Sequence, residues 1–221
     1  PVVYTHNPFR TVTIHYNRAD YEYNAWNVWS WNSGANGSIP LDNPTNFNGD
    51  DDFGVKLSFV VKDPATTQMG FIIRTNDWAK EPGNPDGVPG DCNGCDRNID
   101  IAATGNTDVW LLSGDPVVYT KNPFRKVTLH YHRDDAVYGN WNVWSWGGSG
   151  LDNPTNFNGT DDFGVSLSFY VKDLSATSIG FIIRTNDWAK EPGNPDGVPG
   201  DCNGCDRAIT LPEHGDTEVW V

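Results

Sequence analysis

An internal duplication constrains this chain before anything else does. Val2-Val3-Tyr4-Thr5-His6-Asn7-Pro8-Phe9-Arg10 recurs as Val117-Val118-Tyr119-Thr120-Lys121-Asn122-Pro123-Phe124-Arg125, and Trp26-Asn27-Val28-Trp29-Ser30-Trp31 recurs as Trp141-Asn142-Val143-Trp144-Ser145-Trp146. The offset of 115 then falls to 110, because the second copy is five residues shorter before Leu41-Asp42-Asn43-Pro44 returns as Leu151-Asp152-Asn153-Pro154. Phe71 to Arg97 returns as Phe181 to Arg207 without one substitution. Self-similarity at a fixed spacing marks a repeat architecture, and each copy is long enough for a small domain. The reading is two homologous modules, residues 1–115 and 116–221, joined near Ser113-Gly114-Asp115-Pro116 with almost no linker.

Inside a module the apolar pattern has period two. Val12, Ile14 and Tyr16 alternate with Thr11, Thr13 and His15, while Val55, Leu57 and Phe59 alternate with Lys56 and Ser58. Further short runs at Gly70 to Arg74, Arg97 to Ile101 and Thr107 to Leu112 are separated by Gly, Pro, Asn and Asp, and no helical period of useful length occurs. Short alternating strands divided by turn residues predict an all-β chain of two tandem antiparallel β-sandwich modules of immunoglobulin-like type.

The tryptophan clusters exceed what such a sandwich needs. Side chains of an extended strand alternate faces, so Trp26, Val28 and Ser30 fall on one face and Asn27, Trp29 and Trp31 on the other. One apolar face makes a core. A second face with two indoles about 7 Å apart asks either for a ligand or for another layer of protein. Trp26, Trp110 and Trp220 are read as core, and His15 and His130 as solvated side chains on an outer strand face. The segment Asn76-Asp77-Trp78-Ala79-Lys80-Glu81, with the loop after it, is the only long departure from this economy. Loops are where copies normally drift, and the copies do differ elsewhere, as in Asp63-Pro64-Ala65-Thr66 against Asp173-Leu174-Ser175-Ala176. A shared constraint on the loop follows.

Composition removes several function classes. The longest apolar runs, such as Phe71-Ile72-Ile73, are far shorter than the ~20 residues of a membrane span. The formal net charge of -14 repels phosphate backbones and anionic lipid, arguing against nucleic-acid and membrane partners and for a neutral ligand. The chain opens at Pro1-Val2-Val3-Tyr4 without a leader, read as a segment of a longer exported polypeptide. The four cysteines form two Cys-Asn-Gly-Cys pairs, Cys92 with Cys95 and Cys202 with Cys205. Each pair is read as a local disulfide in an oxidising, extracellular or cell-surface setting, with a shared zinc site or redox-active thiols as the alternatives. The acidic runs at Asp50 to Asp52 and Asp161-Asp162 match no calcium loop and are read as turn residues. No metal or other cofactor is expected.

A strand ending in Val-Trp-x-Trp, then Gly-Phe-Ile-Ile-Arg, Asn-x-Trp-x-Lys, Asp-Arg-x-Ile and a closing Val-Trp resembles the family 41 carbohydrate-binding modules found in tandem in bacterial pullulanases, over essentially all of both copies. That resemblance implies a β-sandwich, α-1,4-glucan ligands (maltooligosaccharides, amylose, amylopectin, glycogen, pullulan) and no catalysis. It carries the stacking tryptophans onto Trp29 and Trp31 and onto Trp144 and Trp146, the loop lysine onto Lys80 and Lys190, and the aspartate before arginine onto Asp96 and Asp206. This chain departs from the family in setting Lys80 and Asp96 sixteen positions apart, with a cysteine pair between them. Trp78 and Trp188 belong to the same candidate set, with loop anchoring as the competing role. An enzyme would need paired carboxylates such as Glu81 and Asp96. The remaining alternative is a structural spacer or adhesion repeat that binds no sugar. The tandem is expected to work as a monomer.

Overall fold

A computed structural model describes residues 9–32, 39–81, 95–191, 204–213 and 215–221. The polypeptide forms two compact units, Pro1–Asn122 and Pro123–Val221. The described residues contain no helix, and none that could cross a membrane. The first unit holds β1 (Arg10–Asn17), β2 (Trp26–Trp31), β3 (Thr45–Asn46), β4 (Gly49–Asp50), β5 (Val55–Val61), β6 (Gln68–Thr75), β7 (Lys80–Glu81), β8 (Arg97–Asp100) and β9 (Asn106–Leu112). The second repeats them as β10 (Arg125–Tyr131), β11 (Trp141–Trp146), β12 (Thr155–Asn156), β13 (Gly159–Thr160), β14 (Val165–Val171), β15 (Ser178–Thr185), β16 (Lys190–Glu191), β17 (Arg207–Thr210) and β18 (Thr217–Trp220).

Each unit is a β-sandwich. In the first, a four-stranded sheet of order β4-β5-β1-β9 faces a five-stranded one of order β3-β2-β6-β7, with β8 also paired to β6. The period-two runs supply the core between them: Val12, Ile14 and Tyr16 of β1, Leu57 of β5, Trp26 and Val28 of β2, and Met69, Phe71 and Ile73 of β6 are all buried. The second unit builds the same core from Val127, Leu129, Tyr131, Trp141, Val143, Leu167, Ile179, Phe181 and Ile183. Fully burying one such side chain is worth roughly 1.5–3 kcal/mol, so these strands define the fold. One pairing is not antiparallel: β9 lies parallel to β1 with Ile14 opposite Val109, and β18 lies parallel to β10. The arginine of the repeated Asn-Pro-Phe-Arg staples the far end of the sandwich. Arg10 donates to the carbonyls of Thr66 (2.7 Å) and Asp63 (2.5 Å), and Arg125 does the same to Ala176 and Asp173 (both 2.6 Å).

Two readings are corrected on the four-stranded sheet. Trp110 and Trp220 are not core. Val109 and Leu111 take the inward positions of β9, so Trp110 between them points outward, and its ring lies flat on His15 with centroids 4.7 Å apart and planes 4° apart. Trp220 stacks on His130 in the same way, at 4.9 Å and 7°. Neither histidine is simply solvated, since His15 Nδ1 lies 2.7 Å from Asp51 Oδ2 and His130 Nδ1 lies 2.5 Å from Asp161 Oδ2. The same aspartates cap their turns: Asp51 Oδ1 accepts from the amides of Phe53 (2.9 Å) and Gly54 (3.3 Å).

Candidate functional site

The outer face of the five-stranded sheet gathers the candidate residues. Core positions Met69, Phe71 and Ile73 of β6 leave Gly70, Ile72 and Arg74 facing out, and the register aligns these with β2: Trp31 opposite Gly70, Trp29 opposite Ile72, Asn27 opposite Arg74. On the other side of β6, β7 places Lys80 opposite Arg74, and β8 places Asn98 opposite Gly70. Burial alternates strictly from Cys95 to Asp100, with Cys95, Arg97 and Ile99 buried and Asp96, Asn98 and Asp100 exposed. Asp96 is therefore on the outer side, and one more step of the β8 register would bring it level with Ile72 and Trp29. At about 4.8 Å between strands and 3.4 Å per residue, the tryptophans, Lys80 and Asp96 share a patch about 10 by 14 Å. Sixteen positions apart in sequence, Lys80 and Asp96 lie along one edge of a single strand, because β7 and β8 both pair with β6; residues 82–94 lie outside the described residues.

The turn from β6 to β7 adds the residue that sequence left open. Thr75 N donates to the carbonyl of Ala79 (2.8 Å), Trp78 N to that of Thr75 (3.1 Å), and Ala79 N to Thr75 Oγ1 (3.0 Å), while the Ala79 methyl is fully buried. This closure forces Trp78 to φ +71°, and Trp188 adopts +70°. The left-handed region costs an L-residue about 1–2 kcal/mol, and strain of that kind collects where a site needs it. It turns Trp78 back over the sheet, where its ring centre is 5.1 Å from that of Trp29 with the planes inclined at 50°. Trp144 and Trp188 repeat the arrangement at 5.1 Å and 49°. Trp78 and Trp188 remain 43% exposed.

Arg74, which the sequence reading did not single out, holds the indoles together. Its guanidinium lies 4.1 Å from the Trp78 ring centre and 5.0 Å from that of Trp29, and Arg184 repeats both distances against Trp188 and Trp144. It is buried, donates to the carbonyl of Thr75 at 2.7 Å, and has no carboxylate partner among the described residues. Burial pushes its pKa down from the usual arginine value. Contacts of this type contribute roughly 0.5–2 kcal/mol. No local signal marks it in the sequence, since it closes the continuous apolar run Phe71-Ile72-Ile73.

Trp31 and Trp146 lie one row further along. An alanine methyl at Gly180 would sit 2.1 Å from Cε2 and 2.2 Å from Nε1 of Trp146. The indole therefore rests on bare backbone, a close approach only glycine permits, and Trp146 as a whole is left 44% exposed. Glu81 points the other way. It pairs with Ile73, is fully buried, and accepts from Arg18 Nη1 (2.6 Å), Ser113 Oγ (2.6 Å), Tyr16 Oη (3.0 Å) and the amide of Gly114 (2.9 Å). Glu81 and Asp96 lie on opposite faces of the sheet and cannot flank one glycosidic bond. Cys95 and Cys205 are each in a disulfide; Cys92 and Cys202 lie outside the described residues.

A sandwich whose one outer sheet face carries bent, exposed tryptophans beside polar side chains is the form of a carbohydrate-binding module. Residues 10–120 and 125–221 each match the family model described as bacterial pullanase-associated domain, so the chain belongs to that family and holds two copies of it. The resemblance to pullulanase modules is thereby borne out. Among solved structures, the chain is similar to SpuA, a multi-modular glycogen-degrading pneumococcal virulence factor (19% identity, TM-score 0.39, 95% of this chain and 20% of that one). It is also similar to a streptococcal virulence factor described as binding α-glucan (18%, 0.39, 96% and 93%). A third is CBMd, of family CBM41, from Eubacterium rectale Amy13K (21%, 0.37, 52% and 97%). The chain thus spans about a fifth of the glycogen-degrading protein. Family membership rests on the family model and not on these superpositions.

Proposed function

We propose that each module is a non-catalytic binding module that holds α-1,4-glucan on the outer face of its five-stranded sheet, and that the pair anchors an attached amylolytic enzyme to that polymer. The observation that carries this reading is the bent indole pair, Trp29 with Trp78 and Trp144 with Trp188. A pyranose ring offers a face of C–H groups to an aromatic plane and a rim of hydroxyls to polar groups. The α-1,4 linkage makes the chain curl, and two indoles inclined at about 50° suit a curled chain better than a flat one. Trp31 and Trp146 extend the platform by one ring. Lys80 and Asp96, with Lys190 and Asp206 in the second module, would supply charge-assisted hydrogen bonds to the sugar hydroxyls. Maltooligosaccharides, amylose, amylopectin, glycogen and pullulan all present this linkage, and an acidic chain of net charge -14 has no electrostatic quarrel with a neutral polymer. The setting is extracellular, with the chain as a monomer and a local Cys92–Cys95 and Cys202–Cys205 disulfide beside each site.

Isothermal titration with maltoheptaose, combined with a reducing-end assay on the same sample, tests the proposal. Two similar sites and no new reducing ends are expected, with Trp29→Ala or Trp144→Ala removing one site by about 2 kcal/mol. Absence of any binding heat would leave a spacer, and new reducing ends an enzyme.

A further inference from the structure

At the side of the first module, where the chain crosses from β8 of one sheet to β9 of the other, lies a cleft of about 620 Å³. That volume falls within the roughly 300–1,000 Å³ of small-ligand sites. Ile99, Ile101 and Val109, all buried, form its floor, and Val118 packs against the same core. Val118 and Thr120 are held beside β9 by a backbone bridge, in which Trp110 N donates to the carbonyl of Tyr119 at 2.9 Å and Tyr119 N to that of Trp110 at 3.0 Å. The more exposed lining is polar: Asn98 and Asp100 of β8, Asn106 and Asp108 of β9, and Thr120. Both carboxylates are steadied through one oxygen, since Gln68 Nε2 donates to Asp100 Oδ1 at 2.8 Å and His15 Nε2 lies 3.5 Å from Asp108 Oδ1. Among the described residues no lysine or arginine lines the cleft, and no group of three or more potential metal ligands occurs. Such a lining argues against a phosphate or an acidic peptide. It suits a neutral polyol, whose C–H groups meet the apolar floor while its hydroxyls meet amides and carboxylates.

The cleft joins the tryptophan platform through Asn98. That residue stands opposite Gly70, in the row that carries Trp31, and it also lines the cleft. Asp100, one outward position further along β8, lines it too. On the reading that the platform holds α-1,4-glucan, we propose that the cleft is an extension subsite of the first module. It takes the glucose residues of a chain that leaves the indoles past Trp31 and turns round β8 into the side of the sandwich. A curled chain can follow that turn from sheet face to sheet edge, whereas a flat one would continue off the face. The second module is not equipped in the same way. Ala208 stands opposite Gly180 and Thr210 opposite Ser178, where the first module sets Asn98 opposite Gly70 and Asp100 opposite Gln68. An amide and a carboxylate are thereby lost from that strand. The two platforms, alike in their indoles, differ in how much of a long chain each one grips.

The test compares maltotetraose with maltodecaose by titration calorimetry on the full chain, its second module silenced by Trp144→Ala with Trp188→Ala. Asp100→Thr with Asn106→Ala is expected to lower affinity for maltodecaose about 10-fold, the effect of losing a hydrogen bond to a charged group, and to leave affinity for maltotetraose unchanged. A second readout is fluorine NMR of the chain labelled with 5-fluorotryptophan, the Trp110 resonance being assigned by its loss in Trp110→Phe. Trp110 lines the cleft but belongs to the other sheet from the platform, so its resonance should shift with maltodecaose and not with maltotetraose. Unchanged affinity for maltodecaose in the variant, an equal loss for both sugars, or a Trp110 resonance unmoved by the longer sugar would each overturn the inference. If maltotetraose still binds and Trp29→Ala abolishes that binding, such a result removes the extension alone. Absence of maltotetraose binding removes the platform reading and the extension together.

Discussion

Gly180→Ala separates the tryptophan platform from the fold that carries it. The new methyl would lie 2.1 Å from Cε2, 2.2 Å from Nε1 and 2.5 Å from Cζ2 of Trp146, whereas carbon atoms in contact sit about 3.5–4.0 Å apart. The ring must therefore retreat by about 1.5 Å. The backbone cannot yield instead, because Gly180 is paired with Trp146 of β11 on one side and Ala208 of β17 on the other. Trp146 can, being 44% exposed. Alanine restricts the unfolded chain more than glycine does, by about 0.5–1 kcal/mol, so the melting temperature is expected to hold or rise slightly. The sugar surface, however, loses its levelled ring. Affinity for maltoheptaose at the second module should fall about 10-fold, or about 1.4 kcal/mol. The measurement is titration calorimetry on the full chain, with the first module silenced by Trp29→Ala and Trp78→Ala. Affinity within twofold of the parent, at an unchanged melting temperature, would show that the Trp146 face is not part of the site.

Trp78→Gly relieves a positive φ while removing a stacking ring, so stability should change by less than about 1 kcal/mol as binding at the first module is lost; a large drop in the denaturation midpoint would mean that Trp78 serves the fold instead. Glu81→Gln breaks a buried pair with Arg18 and should cost about 3 kcal/mol in chemical denaturation. Glu191→Gln should cost less, since the Glu191 side chain is 13% exposed, and equal losses would refute the burial argument. Asp20, held by Arg18 Nε and Nη2 (3.0 and 2.6 Å) and by the amide of Glu22 (3.0 Å), is drawn down to about 2 by those bonds, Arg18 first. The stability it contributes is present above the ordinary aspartate value of about 3.9 and is lost as pH falls toward about 2; a carboxyl NMR titration with a midpoint near 4 would contradict the pairing.

Parity decided how much of this could be read beforehand. Alternation along Trp26 to Trp31 placed Trp26 and Val28 in the core and Trp29 and Trp31 outside, as the burial shows. The same rule applied to Asp108-Val109-Trp110-Leu111 puts Trp110 outside. Reading it as core misplaced it, because an aromatic stacked on a histidine gains contact without entering the interior. Phe71-Ile72-Ile73 hid its parity, since a continuous apolar run gives no period, and Arg74 was hidden with it. Nothing local in the sequence shows that Lys80 and Asp96 line the same edge of β6. That follows only from the pairings of β7 and β8 with β6, a non-local fact.

The segment without substitutions acquires a mechanical reason from these positions. Along Arg74-Thr75-Asn76-Asp77-Trp78-Ala79-Lys80-Glu81 the outward residues, Arg74, Trp78 and Lys80, build the face, and the inward ones, Thr75, Ala79 and Glu81, are locked below it. Thr75 and Ala79 fix the turn that drives Trp78 into its left-handed conformation. Glu81, tied to Arg18, Tyr16 and Ser113, sets the height of β7 and so of Lys80. A change at an inward position would move an outward one, and the reverse, since packed interiors transmit displacement and do not absorb it. Elsewhere, as at Pro64, Ala65 and Gln68 against Leu174, Ser175 and Ser178, exposed residues are not coupled in this way. The two copies could diverge there without disturbing either platform.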